Sequence, residues 1–248
     1  MKLIDTHAHL DEMIDIDGAI QRAKDSGIQA IVGVGSDLQS NEKILHLAAR
    51  YPKYVFPALG LHPWRLERED LAKSFSFIEA NLSPCIALGE VGLDLAIQTP
   101  RERQAEVFKE LLNIARRQKK PVLLHARRAW AEALELLIEN GISRAVFHWY
   151  SGPIDILKRI LKNGYLISAT PAALYSDRHR QALKETPLDR ILLETDAPEV
   201  YRGKASEPKD LVASLQALST LKGESAEGIT GQVLQNTIKF FNITLSNP

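Results

Sequence analysis

Cysteine is nearly absent. Cys85 stands alone, so no disulfide can close within the chain, and it reads as a buried small hydrophobe. An excess of charge is missing too: Lys plus Arg and Asp plus Glu each number 31, which sums to zero. Non-specific nucleic-acid binders carry a surplus of basic charge, so here a polyanion has to be held by a local patch. No apolar run approaches about 18 residues, so none is expected to span a membrane. The opening MKLIDTHAHL reads as a strand rather than a signal peptide, and a cytoplasmic location is expected. No G-x-G-x-x-G follows that first strand, which argues against a dinucleotide-binding open sheet.

What is present is alternation. Short apolar, β-rich runs begin at Leu3–Thr6 and Ile28–Gly35 and continue as YVFPALG, PCIALGE, PVLLHA, SRAVFHW, YLISA and DRILLETD. Helix-like stretches separate them, among them DIDGAIQRAKDSG with a glycine stop at Gly27 and PRERQAEVFKELLNIARRQKK with Pro100 near its start. Two more helices are expected near residues 208–222 and 226–241. Eight such units in 248 residues match the size of a βα repeat and of a (β/α)8 TIM barrel of roughly 250 residues. Runs without clean alternation suit parallel strands covered on both faces. One α/β domain over residues 1–248 is therefore expected. A chain of this length buries a core without a structural metal, so a bound metal is expected to be catalytic.

Barrel active sites gather at the C-terminal ends of the strands. His7 and His9 close the first strand, His62 lies just past the third, and Glu90 ends the fourth. His125 ends the fifth, His148 the sixth and Asp196 the eighth; only His46 and His179 fall in helices. In H-x-H, a period of two sends both imidazoles to one side, where they can grip one ion. Alone, such a pair is more often two hydrogen-bonded core histidines; with four more donors on the same rim, a metal site is the better reading. Four histidines and two carboxylates exceed the needs of one tetrahedral ion; one or two divalent ions are expected, and two bridged by Glu90 would give each about three protein ligands. The nitrogen and oxygen donors suit Zn²⁺, Mn²⁺ or Mg²⁺. Asp196 is the candidate to bind metal and take the nucleophile's proton, with Glu90 as its catalytic partner; its alternative is a helix N-cap. His62 and Arg127 are candidates to hold an anionic substrate. Asp5 and Glu194 are expected on the inward face behind the ligands, as orienting acceptors or as buried structural acids. The basic runs at 116–120 and 178–180 are a possible polyanion footprint or merely solvated faces. Trp64, Trp149 and Tyr150 could line the mouth.

Six stretches in order, LIDTHAHLD, GLHPW, ALGEVGLD, PVLLHARRA, FHWYSG and LLETDAP, resemble the TatD family of metal-dependent hydrolases in the amidohydrolase superfamily. Asn236 in VLQNTIKFF is similar to that family's C-terminal asparagine. The resemblance implies that His7, His9 and Asp196 hold one ion, His125 and His148 the other, and that Glu90 bridges them. It implies deoxyribonuclease activity, including exonuclease action at DNA ends; some relatives resemble aminoacyl-tRNA deacylases. This chain departs from the pattern at Ala8, at Trp149 and Tyr150, at Leu95 and Ala96, and at Ser206. All are expected near the mouth, where they bear on substrate choice. The expected reaction is phosphodiester hydrolysis at 3′ ends of DNA, and the alternative is amide or ester hydrolysis such as tRNA deacylation.

Overall fold

The apolar runs form eight strands: β1 (Leu3–Ala8), β2 (Ile28–Val34), β3 (Val55–Leu59), β4 (Ala87–Asp94), β5 (Val122–Arg127), β6 (Ala145–Phe147), β7 (Leu166–Ala169) and β8 (Ile191–Leu193). In the computed structural model, which describes residues 2–243, each strand pairs in parallel with the next, in the order β1 to β8. Helices α1 (Ile16–Asp25), α2 (Leu38–Arg50), α3 (Leu71–Asn81), α4 (Arg101–Arg117), α5 (Trp130–Glu139), α6 (Ile154–Lys162) and α7 (Asp177–Glu185) alternate with them. A short hairpin of β9 (Val200–Tyr201) and β10 (Lys204–Ala205) follows β8, and then α8 (Leu211–Lys222) and α9 (Ala226–Phe241). This is the (β/α)8 barrel expected from the alternation. The domain expected over residues 1–248 includes Met1 and residues 244–248, which lie outside the described residues. No described helix is long and apolar enough to cross a membrane.

Helix starts follow local chemistry. Asp15, Asp70, Ser176 and Ser225 each accept a backbone N–H of the first turn. Asp37 and Ser40 satisfy each other's backbone in a capping box. Gly27, at φ 83°, supplies the left-handed residue that stops α1.

Strands with two covered faces sort their side chains into two layers. Val32, Ala58, Leu123, Val146 and Leu192 fill the ring, and Phe240 and Phe241 of α9 close its floor. Ile31, Leu88, Leu124, Phe147 and Leu193 face outward into the layer shared with the helices. The ring closes between β1 and β8 near the strand ends. There Thr6 Oγ1 donates to Leu193 O (2.9 Å), Asp196 N to His7 O (2.9 Å) and His9 N to Ala197 O (2.7 Å).

Two irregularities re-aim the chain. Between Leu88 and Val91 the fourth strand takes three steps against two on β5, from Val122 to Leu124. The extra residue flips the alternation, so Ala87 and Glu90 both face inward. Gly92, at φ 146°, permits the close approach that follows, because a Cβ there would lie 1.9 Å from His125 O. The first strand has the same feature: Asp5 and Ala8 pair with Ile31 and Gly33. His7 is thereby turned inward while Asp5 stays on the outer side. The expectation that Asp5 shares the ligand face is corrected by that inserted residue. Asp5 instead accepts Thr195 N (2.9 Å) and Thr195 Oγ1 (2.5 Å), joining β1 to the segment after β8.

The run at 116–120 lies away from the ligands, whereas Arg178 and Arg180 stand in the first turn of α7 next to Ser176, which lines the cavity above them. Lys120 donates to Ser83 O and Cys85 O (2.7 and 2.5 Å) beneath the start of β4, and Arg117 pairs with Glu79, at the end of the barrel opposite the ligands. His179 is buried, its Nδ1 bound to Tyr150 O (2.8 Å), and burial holds it down at about 4, hence neutral.

Asn236 fastens the floor. Its Nδ2 donates to Leu188 O and Ile191 O, both at 2.8 Å, at the entry to β8. Asn236→Ala removes this shared donor from both carbonyls, leaving Leu188 O only the Ile191 N–H, at a cost of about 1–3 kcal/mol. Thermal unfolding should show Tm lower by roughly 2–10 °C for a chain of this size; an unchanged Tm would contradict the role given to this residue.

Candidate metal centre

The strand ends bring all six expected donors together. His7 sits in β1 and His9 just after it, His125 in β5, His148 one residue past β6 and Asp196 three residues past β8. Glu90 comes from within β4, which continues to Asp94, and not from its end as expected; the inserted residue turns it inward. Asp196 adopts φ 55°, a left-handed conformation that Asp tolerates better than most residues. No helix begins there, so it is not an N-cap.

Glu90 lies at the middle, 2% exposed, and its two oxygens face different partners. Oε2 is 3.3 Å from His7 Nε2 and 3.2 Å from His9 Nε2. Asp196 Oδ1 is 3.6 Å from both nitrogens, which are themselves 3.3 Å apart. Oε1 is 2.9 Å from His125 Nδ1 and 3.0 Å from His148 Nε2. Two ligands held at about 2.0–2.1 Å by one tetrahedral ion stand about 3.4 Å apart. The separations on the Oε2 side, 3.2 to 3.6 Å, are those of a donor set spaced for a shared cation. Among the described residues three sets are compact enough to hold an ion: His7, His9 and Asp196; His62, Glu90 and His125; His7, His148 and Glu194.

Ring partners decide which nitrogen is available. His9 Nδ1 lies 3.2 Å from Val34 O, an acceptor, so Nδ1 carries the proton and Nε2 keeps its lone pair. His148 Nδ1 faces Glu194 Oε1 (3.3 Å) and His125 Nε2 faces Asp94 Oδ2 (3.1 Å), with the same consequence. His7 Nδ1 is buried without a partner. His62 is the reverse. Its Nδ1 accepts Trp64 N–H (3.1 Å), so the proton sits on Nε2, 3.5 Å from Glu90 Oε1. His62 is thus arranged as a donor rather than a ligand, and burial holds it neutral, at about 4.

Burial alone would neutralise Glu90, but His62, His148 and His7 outweigh it and hold the carboxyl well below its usual range. Burial likewise opposes charge on His9 and His148, yet their carboxylate neighbours raise the first to about 9 and the second well above its usual value. His9 and His148 therefore hold a second proton near neutrality, on the nitrogen that faces the centre, and a divalent cation can replace it.

Of the second rank, Glu194 orients His148 and also accepts Ser168 Oγ (2.6 Å) and Trp149 N (3.1 Å). Arg127 is exposed at the end of β5. It lines a cavity of about 670 Å³ above the centre, together with His62, Trp64, Trp149 and Asp196. Tyr150 does not: it is buried, with its hydroxyl on Pro153 O (2.6 Å). Among the departures from the family pattern only Trp149 lines this cavity; Ala8 and Ser206 are buried elsewhere, and Leu95 stands outside it. The sequence reading missed Asp94 and Trp130. Asp94 was detectable, standing four residues after Glu90 and so on the same side of the strand. Trp130 opens α5 and carried no signal.

A model of the family described as TatD related DNase matches residues 4–242. The human deoxyribonuclease TATDN3 is 30% identical over 258 aligned residues, spanning 96% of this chain and 94% of the relative. YjjV, a metal-dependent hydrolase of Escherichia coli, is 31% identical across 98% of each chain. Its crystal structure superposes with a TM-score of 0.90 over 98% of each chain. A TatD-family hydrolase of Entamoeba histolytica, 22% identical over 96% of this chain and 97% of its own, shares the fold at a TM-score of 0.87. The chain belongs to the TatD-related DNase family of metal-dependent hydrolases.

Proposed function

We propose that this protein is a divalent-metal-dependent phosphodiesterase that removes nucleotides from the 3′ ends of DNA. The observation that carries the reading is the division of Glu90, with one oxygen turned to each of two donor sets. In this reading His7, His9 and Asp196 hold one ion and His125 and His148 the other, with Glu90 between them. Zn²⁺, Mn²⁺ or Mg²⁺ bound there supplies charge to polarise a phosphate and acidify a water. The deoxyribonuclease name of the human relative supports DNA as the substrate.

The chain's own groups do the rest. Asp196 lines the cavity and turns one oxygen towards His7 and His9, where its carboxylate takes the proton of the attacking water. His62 donates its Nε2–H to a non-bridging phosphate oxygen. Arg127, with no ion pair among the described residues, offers a two-pronged guanidinium to the same phosphate from the rim. Glu194 and Asp94 keep His148 and His125 in the tautomers that leave lone pairs directed at the centre.

Asp196→Asn should lower kcat on a 5′-labelled oligonucleotide by about 10²–10⁴-fold with little change in Tm. Arg127→Ala should raise KM by roughly 10- to 100-fold while kcat moves less. No cleavage by the metal-loaded wild type, or equal cleavage by Asp196→Asn, removes the reading. Faster turnover of an aminoacyl-tRNA ester would transfer the same centre to carbonyl chemistry.

A further inference from the structure

All three tryptophans of the chain, Trp64, Trp130 and Trp149, line the cavity above the centre. Two of them pack against tyrosines: Trp130 meets Tyr150 at 6.0 Å and 63°, and Trp149 meets Tyr201 at 5.3 Å and 47°. Trp64 differs, being 53% exposed. It is nevertheless fixed. Its Nε1–H donates to Asp94 Oδ2 at 2.6 Å, and its ring stands at 79° to His62 and 72° to His125. Its backbone N–H is held by His62 Nδ1. An exposed indole locked from below loses little freedom when something stacks on it, which favours its use as a binding surface.

Behind Trp64 lies a second cavity of about 370 Å³, lined also by Glu67, Ile97, Gln98, Thr99 and Pro100. Trp64 belongs to both linings. The second cavity offers apolar contact from Ile97 and Pro100, and hydrogen-bonding groups from Gln98 and Glu67. A flat indole, apolar flanks and polar edge groups suit a planar heteroaromatic ring with donors and acceptors on its rim. A phosphate held between His62 and Arg127 would carry its own nucleoside next to this wall. We propose that Trp64 and the cavity behind it form a nucleobase subsite beside the reaction centre. Its part in turnover rests on the DNA reading above, whereas its capacity to bind a base does not.

Calorimetric titration of the Mn²⁺-loaded protein with dAMP and with 2-deoxyribose 5-phosphate separates base from phosphate. Trp64→Ala should weaken dAMP by about 5- to 150-fold and leave the sugar phosphate unchanged. Trp64→Phe, which keeps a stacking face, should retain most of the affinity and serves as the folding control. Quenching of tryptophan fluorescence by dAMP should disappear in Trp64→Phe and persist in Trp130→Phe and Trp149→Phe. An unaltered dAMP affinity in Trp64→Ala, or equal weakening of both ligands, overturns the subsite. If the wild type cleaves no oligonucleotide yet binds dAMP through Trp64, the DNA reading falls and the subsite stands. If it cleaves DNA while dAMP ignores Trp64, the subsite falls alone.

Discussion

A carboxylate buried to 2% exposure cannot stay ionised without nearby positive charge, and Glu90 is surrounded by imidazoles for that reason. Both of its oxygens lie within 3.3 Å of two ring nitrogens each. Three of those rings, His9, His125 and His148, are in turn pinned from behind by Val34 O, Asp94 and Glu194. Acceptors on the outer side fix the tautomers, and the tautomers direct lone pairs inward. A cluster built this way is a poor hydrophobic core and a good cage for cations, because a cation can take the place of the protons that otherwise balance its buried carboxylate.

The barrel makes that cluster possible at the one place where its ladder is incomplete. Between β1 and β8 the ring closes through side chains and through the backbone of the very residues that serve the centre: Asp196 N on His7 O, His9 N on Ala197 O, and Asp5 on Thr195. Closing the ring and aligning His7, His9 and Asp196 are thus one event. Inserted residues in β1 and β4 make the second adjustment, since a regular alternation that buries Ala87 inside would have sent Glu90 out to the helices.

Much of this was legible in the residues. Apolar runs separated by helical spacing were enough for the barrel, and the rule that barrel chemistry gathers at strand ends collected His7, His9, His125, His148 and Asp196 onto one rim. Parity within a strand also put Glu194 on the inward face, although only the fold shows that it meets His148. Parity failed at Asp5, because a single inserted residue is invisible in a run such as LIDTHA and yet changes the face of everything after it. The basic stretch at 116–120 misled for a different reason: charge reads the same at either end of a barrel, and only the position of the α4–β5 turn assigns it to the far side. Parity with Glu90 gives the face of Asp94 but not its role, because its partners, Trp64 and His125, are 30 and 31 residues away in sequence.

Anomalous diffraction from crystals soaked in Mn²⁺ or Zn²⁺ tests the account most directly. It predicts two peaks flanking Glu90, one among Oε2, His7, His9 and Asp196 and the other among Oε1, His125 and His148, with both weakened in Glu90→Gln. Metal found only outside this cluster, or none bound under any soak, would contradict it.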